Sequence, residues 1–141
     1  MKAPLKNNKK ILFQLDMLGH GTNNAVLLRI QLTSEHTKVD FGYTTGSIYI
    51  KGGWIKMAKE TFIENVTTKK RYKMINAIGI TIAPKKHNFT SNKDWRYYSL
   101  FFEPIEPGDC ILDIIEKEKG NLNDFNYYGI VLKMSEAIEV I

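Results

Sequence analysis

The sequence predicts an all-β fold, a single antiparallel domain of about eight to ten short strands in a sandwich or barrel. Apolar residues alternate with polar ones in a period of two along the chain, and the period of an amphipathic helix does not recur. Strands do not alternate with helices, so we expect no parallel nucleotide-binding sheet. With 141 residues, 43% hydrophobic and 25% charged, the chain has the composition of one globular domain over residues 1–141.

The N-terminal residues 1–36 contain the first two predicted strands. Apolar side chains alternate with polar ones over 11–17 and again over 26–32. A third alternating segment covers 39–43, and the polar residues 34–36 before it are few enough for a hairpin-like connection. We therefore expect these strands to follow one another through short connections.

Glycines and polar residues divide the middle of the chain into an interrupted strand and a hairpin. Gly52 and Gly53 break an apolar segment before an extended pattern resumes over 54–57. The segments 61–66 and 71–78 are rich in β-branched and aromatic residues, and the four residues between them are polar. This arrangement predicts a hairpin.

The C-terminal third begins with the most clearly patterned strand, over 95–102. Odd- and even-numbered positions are both largely apolar there, with Tyr97 on one face and Tyr98 on the other. This pattern predicts a strand that is covered on both sides. Further strands are predicted over 110–115 and 125–132. The tail that follows them, over 134–141, fits either a last strand or a short helix.

The net charge of +5 is distributed unevenly along the chain. From Glu103 onwards nine acidic residues accompany three basic ones, a net charge of −6, so the preceding residues carry +11. The lysines are nevertheless scattered singly or in pairs, and no block of five or six like charges is present. We therefore do not expect nucleic acid as the principal partner, although a basic β-barrel that binds single-stranded nucleic acid stays open as the alternative.

The sequence leaves the compartment open. Gln14 and Asp16 interrupt the N-terminal apolar stretch, so we expect no secretory leader there. No apolar run approaches the roughly 20 residues that a membrane-spanning helix needs, so no membrane span is expected. One cysteine excludes an internal disulfide framework. The cell envelope fits if a leader has been removed and the cytoplasm fits otherwise; the oligomeric state is equally open.

Residues that could perform catalysis or bind a metal are isolated from one another. His20, His36 and His87 lie in polar, turn-like segments without a second ligand at a spacing such as H-x-H, so we expect no metal site and no cofactor. Cys110 is the one candidate thiol nucleophile, and its place at the head of the apolar run 110–115 indicates a small core residue.

Two larger groups of residues permit a functional interpretation. Glu103 and Asp113 could act as an acid–base pair if they faced each other across a groove, but Asp113 on the solvent face of a strand explains the pattern equally well. Aromatic residues are abundant, and the sequence favours a core role over a stacking platform. Adjacent pairs such as Tyr97-Tyr98 and Tyr127-Tyr128 must point to opposite faces, so at most half of these rings share one surface.

Several segments, taken in order, resemble an Ig-like β-sandwich module found in many uncharacterised proteins of Bacteroidetes-type bacteria, alone or beside other domains that include peptidase domains. The resemblance spans about two-thirds of the chain, roughly from Val39 to Leu132. It implies an immunoglobulin-like antiparallel sandwich and a non-catalytic accessory role in a bacterium. Gly79 and Gly129 in these segments are expected to relieve crowding or to bend a strand. The segments are 54–63, 70–74, 77–80, 84–89, 98–104, 113–116 and 126–130.

The predicted function is that of an interaction module, not an enzyme, with a protein partner. Strand addition at an exposed sheet edge is a suitable mode, because an open sandwich offers unpaired backbone groups there. A second alternative, after the nucleic-acid-binding barrel, is a glycan-binding or glycan-active sandwich. The predicted partner surface comprises Trp54, Lys56, Lys85, Lys86 and His87.

Overall fold

Antiparallel β-strands provide the described secondary structure apart from one 3-10 turn. The computed structural model describes residues 9–18, 25–43, 54–55, 57–80, 87–88, 96–118 and 125–140. In these ranges the strands are β1 (Lys10–Leu18), β2 (Val26–Leu32), β3 (Thr37–Tyr43), β4 (Trp54–Ile55), β5 (Phe62–Asn65), β6 (Arg71–Ile78), β7 (His87–Asn88), β8 (Arg96–Phe102), β9 (Cys110–Ile115), β10 (Tyr127–Leu132) and β11 (Ile138–Val140), with the 3-10 turn at Met134–Glu136.

Nine of these strands form one continuous curled sheet in the order β10-β9-β5-β6-β8-β3-β2-β1-β11, and β4 pairs with β7. Every described pairing is antiparallel. The all-β, antiparallel prediction is therefore confirmed. The immunoglobulin-like sandwich stays a prediction, because nine of the eleven described strands belong to one curled sheet.

Strand β6 joins two halves of this sheet. Its first residues pair with β5, where Phe62 lies opposite Lys73, and its last residues pair with β8, where Ile78 lies opposite Ser99. The register shifts between Met74 and Asn76, as it does at a β-bulge, and bulges bend a strand and increase its twist. We call β8, β3, β2, β1 and β11 the β8 half, and β10, β9 and β5 the β10 half.

The two halves face each other across the core. Phe41 from β3 stacks on Tyr98 from β8 at 5.0 Å between ring centroids, and Tyr127 from β10 lies 5.4 Å from Phe41. The Tyr127 hydroxyl donates a hydrogen bond to the carbonyl of Ala25, just before β2. The curl of the sheet thus brings its β10 end over β2 and β3 and buries the inward side chains of both halves.

The predicted strands agree closely with those observed, with one instructive exception in β8. Tyr98, Leu100 and Phe102 are buried, as the alternation predicts, but Tyr97 on the other face is 68% exposed. The prediction that both faces of this strand are covered is therefore wrong. The hairpin of β5 and β6 is confirmed, and the ambiguous tail contains both a 3-10 turn and a strand.

Candidate interaction surfaces

The structure brings together part of the predicted partner surface. Trp54 in β4 and His87 in β7 lie on neighbouring strands, because Ile55 pairs with His87. Lys56, Lys85 and Lys86 lie outside the described residues. The prediction for these five residues therefore stays a prediction.

Exposed large apolar side chains concentrate at the two ends of the described sheet. Isolated exposed apolar residues are ordinary on protein surfaces, whereas a group of them at one place marks a binding surface. Five of the eight lie in β9, β10 and β11, and three lie in β6 and β8. The eight are Ile75, Ile78, Tyr97, Ile111, Tyr128, Val131, Ile138 and Val140.

Strand β10 has one paired and one unpaired side among the described strands. It pairs with β9, where Val131 lies opposite Ile111, and no described strand pairs with its other side. Val131 and Tyr128 are half exposed, and Ile111 is 39% exposed. We call Ile111, Tyr128, Val131 and the outer side of β10 the edge surface. It combines backbone groups available for strand pairing with apolar side chains beside them.

A bulge at Gly129 determines which side chains of β10 reach the edge surface. Gly129 has a φ of +65°, and its N–H donates to the Asp113 carboxylate at 2.8 Å. The register with β9 shifts between Tyr127 and Ile130. Because of this shift, Ile130 returns to the core and Val131 joins Tyr128 on the exposed side. The expectation that Gly129 bends a strand is confirmed.

A second exposed surface lies on the outer face of β8. Tyr97, Ser99 and Phe101 alternate along this face. Across the ladder, Tyr97 lies opposite Gly42, Ser99 opposite Asp40 and Phe101 opposite Lys38. We call this surface, with the outward residues of β1, β2, β3 and β6 that continue its rows, the β8 face.

A carboxylate organises the centre of the β8 face. Asp40, 9% exposed, accepts a hydrogen bond from the Arg29 Nε at 2.7 Å and another from the Ser99 hydroxyl. The ammonium of Lys38 lies 3.7 Å from the same carboxylate. Because Asp40 contacts both Lys38 and Arg29, it compensates much of their positive charge. It also holds Arg29 and Ser99 in fixed positions.

A shallow hollow of about 310 Å³ adjoins Phe101 at one end of the β8 face. The edge of the His36 ring packs on Phe101, with 5.0 Å between the ring centroids. The wall of the hollow contains cationic, anionic, amide, hydroxyl and aromatic groups. The lining residues are Lys10, Gln31, Thr33, Glu35, His36, Lys38 and Phe101.

An exposed ion pair connects the loop between β8 and β9 to the β5–β6 hairpin on another side of the molecule. Glu106, in the connection from β8 to β9, accepts hydrogen bonds from Lys70 and from the Tyr72 hydroxyl, both at 2.8 Å. The Lys70 ammonium, together with a backbone N–H and Tyr72, lowers the pKa of Glu106 to about 2. Burial, and then the bond to Glu106, raises the pKa of Tyr72. Cys110 is half-buried in the wall of the adjoining hollow of about 420 Å³ and packs against the core.

The two carboxylates considered as an acid–base pair hold backbone groups on different strands. Glu103 accepts a hydrogen bond from the Lys73 N–H on β6, and Asp113 accepts one from the Gly129 N–H on β10. Asp113 lies on the outer face of its strand, as the sequence favours. Among the described residues, no group of three or more His, Cys, Asp and Glu residues is placed to hold a metal ion.

A buried polar pair that the sequence does not reveal fastens the connection between β9 and β10. Glu116 is 8% exposed and accepts hydrogen bonds from the backbone N–H groups of Ala58 and Phe125, at 2.8 and 2.9 Å. Asn126 is fully buried and accepts bonds from the N–H groups of Glu116 and Lys117. A buried carboxylate is costly unless hydrogen-bonded, and here both of its oxygens are. This pair fixes the start of β10 and thereby the edge surface.

Sequence reasoning also misses the edge surface itself. Val131, Ile111 and Tyr128 belong to predicted strands, but their exposure depends on β10 being the last strand of the sheet. That position follows from the non-local pairing of β9 with both β5 and β10. Strand alternation is the only local signal for it, and it does not distinguish an edge from a central strand.

Fold and surfaces together define an all-β domain whose curled antiparallel sheet carries two exposed surfaces, the edge surface and the β8 face. Compared with protein-family models, curated protein sequences and solved structures, the chain matches none of them. In the part of the chain that the structure describes, no helix has the length and apolar character to cross a membrane.

Proposed function

We propose that this domain is a non-catalytic interaction module that binds an extended segment of a protein partner by strand addition to β10. The single observation that carries the proposal is the edge surface. A six-residue strand at the end of the described sheet has one side that no described strand pairs with, and exposed apolar side chains flank it. Its accessory role and an immunoglobulin-like sandwich arrangement, as implied by the resemblance, belong to the same proposal.

Strand addition explains why backbone and side chains are exposed together at this place. An incoming strand would satisfy backbone N–H and C=O groups on the outer side of β10, which supplies affinity without reading sequence. Alternate side chains of that strand would continue the row of Val131 and Ile111, which lie opposite each other on the outer face. Cross-strand apolar pairs of this kind contribute roughly 0.2–1 kcal/mol each.

The carboxylates of the β10 half support binding more than catalysis. Asp113 accepts a hydrogen bond from the N–H of Gly129 at the bulge, and Glu116 accepts one from the N–H of Phe125, just before β10. Both therefore act in positioning β10. A module of this kind needs a rigid edge, because strand addition is favoured when the accepting strand is already in place.

The proposal is tested by selecting binders to the immobilised domain from a library of displayed peptides. Peptides of about twelve residues are long enough to supply a partner strand. A selected peptide is expected to lose affinity when alternate backbone nitrogens are N-methylated, since this removes the donors for strand pairing. Val131→Lys is expected to weaken binding about tenfold or more, measured by fluorescence anisotropy.

Ile78→Lys is the matched control, because Ile78 is a similarly exposed aliphatic residue on the other surface. It should leave peptide affinity unchanged. The proposal is wrong if no peptide is selected, or if the selected peptides bind the Val131 variant and their N-methylated forms as well as before.

A further inference from the structure

The β8 face carries an aromatic and polar arrangement that the edge surface does not need. Tyr97 is the most exposed large apolar side chain among the described residues, at 68%. Phe101 follows four residues later on the same face of β8, about 13 Å away along an extended strand. Phe101 is half-buried and packs against the His36 ring, so Tyr97 offers an open ring and Phe101 a partly covered one to a ligand with flat apolar faces.

The cross-strand neighbour of Tyr97 on β3 is a glycine. Gly42 lies directly opposite Tyr97, is itself buried and has no side chain to pack on the ring. Ile78 lies on the same face, opposite Ser99 and one row from Tyr97. The Tyr97 ring thus remains largely exposed next to an exposed aliphatic side chain.

Between the two rings lies a row of hydrogen-bonding side chains. Gln14, Arg29, Asp40 and Ser99 are successive cross-strand partners from β1 to β8. Asp40 accepts hydrogen bonds from the Ser99 hydroxyl and from the Arg29 Nε–H, so the Ser99 oxygen keeps acceptor capacity. The next row, beside Phe101, adds the amides of Gln31 and Asn76 as ladder neighbours of Lys38 and Phe101.

The charge on this face decides between the ligand classes that use aromatic stacking. Among the described residues that line the hollow or contact Asp40, the cations Lys10, Arg29 and Lys38 are offset by Asp40 and Glu35, which leaves a single net positive charge when histidine is counted as neutral. A groove for a nucleic-acid backbone needs several uncompensated cations, because neutralised phosphates supply most of the affinity. Mixed amide, hydroxyl, carboxylate and guanidinium groups around one exposed ring and one half-buried ring instead suit an uncharged ligand rich in hydroxyls.

We infer that the β8 face binds a neutral oligosaccharide, with sugar rings packed on Tyr97 and Phe101 and hydroxyl groups bonded to the row around Asp40. This function is separate from strand addition at the edge surface. Tyr97 supplies the principal apolar contact, and Asp40 positions Arg29 and Ser99 without contacting the sugar itself.

A panel of neutral hexasaccharides, namely cellohexaose, xylohexaose, mannohexaose and chitohexaose, tests the inference by isothermal titration calorimetry on the full chain. At least one is expected to bind, with an affinity that stays the same from low to high salt. Tyr97→Ala is expected to weaken this binding about tenfold or more, and Tyr97→Phe, which keeps the ring, to retain it.

Tyr128→Ala is the matched control, since it removes a half-exposed tyrosine from the edge surface. It should leave oligosaccharide binding intact, as should Val131→Lys. The inference is overturned if no hexasaccharide binds or if the Tyr128 variant loses affinity as much as the Tyr97 variant. Tight, steeply salt-dependent binding of a thymidine dodecanucleotide in place of any sugar would overturn it in favour of nucleic acid.

Discussion

The β8 half and the β10 half contain the same two local features in different surroundings. Each has a pair of adjacent tyrosines, one buried and one exposed, and each has a glycine with positive φ next to that pair. In the β8 half the features are Tyr97-Tyr98 and Gly79; in the β10 half they are Tyr127-Tyr128 and Gly129.

Packing gives these similar features different roles. A Cβ atom at Gly79 would lie 2.7 Å from the Tyr97 carbonyl oxygen, whereas one at Gly129 would meet nothing within 4 Å. The buried hydroxyl of Tyr127 bonds to Ala25, whereas that of Tyr98 has no hydrogen-bond partner among the described residues. The same residue type is thus closely surrounded in one half and unhindered in the other, so we expect substitutions to cost different amounts in the two halves.

The largest difference is expected between the two glycines. Gly79→Ala should lower the free energy of unfolding by about 2–4 kcal/mol, since it adds a backbone clash to a left-handed conformation. Gly129→Ala adds no clash and only places alanine in a left-handed conformation, so it should lower the free energy of unfolding by about 1–2 kcal/mol. Urea denaturation of both variants measures the difference.

Gly129→Asn refines this comparison, because asparagine adopts positive φ more readily than alanine. It should be more stable than Gly129→Ala, whereas Gly79→Asn should not recover stability over Gly79→Ala. Equal losses for the two alanine variants would show that crowding at Gly79 relaxes without cost.

The buried tyrosines provide the second comparison. Tyr127→Phe removes the donor to the Ala25 carbonyl, a bond that joins the two halves through the core, and should cost about 1–2 kcal/mol. Tyr98→Phe removes a buried hydroxyl without a described partner and should be neutral or stabilise by up to about 1 kcal/mol. Burial raises the pKa of both phenols, so neither is ionised at neutral pH.

Thermal or urea unfolding of the two phenylalanine variants, and of the double variant, checks this expectation. The ring contacts are kept in all three, so the hydroxyl groups alone are compared. A loss for Tyr98→Phe as large as that for Tyr127→Phe would contradict it.

Local sequence determines much of this fold but little of the distinction between its halves. Alternation over 95–102 correctly separates Tyr97 from Tyr98, yet it cannot show that the Tyr97 face stays open. That exposure depends on what the rest of the chain places there. The bulge in β1 is equally hidden, since Asp16 adopts a φ of +50° without being a glycine.

The candidate surfaces follow the same rule. The β8 face arises from cross-strand neighbours contributed by five strands, and the edge surface arises from the last position of β10. Neither can be found from a motif, because no contiguous segment contains it. The predicted surface around Trp54 and His87 rests on local signals alone, and the structure adds only the pairing of their strands.

The smallest effect is expected at the surface, where Glu106 in the β8–β9 connection bonds to Lys70 and Tyr72 of the β5–β6 hairpin. The carboxylate of Glu106 has a pKa of about 2 in the folded protein, below its usual 4.5, because of Lys70, a backbone N–H and Tyr72. Its stabilising contribution is therefore present above about pH 4.5 and is lost as the pH falls towards 2.

Since the side chains of Glu106 and Lys70 are both about half exposed, at 51% and 55%, solvent screening keeps this contribution below about 1 kcal/mol. Glu106→Gln should accordingly lower the free energy of unfolding by less than about 1 kcal/mol at neutral pH and by progressively less as the pH falls towards 2, which flattens part of the acid limb of the stability curve. Urea midpoints measured through this acid range, with Tyr127→Phe for comparison, separate the two links. The Tyr127 variant should lose stability equally at every pH, because the phenol that donates this hydrogen bond ionises far above the acid range.

If Glu106→Gln instead shifted the whole curve by as much as Tyr127→Phe, the surface link would be as strong as the buried one, and the distinction between enclosed and open contacts would not hold for this molecule.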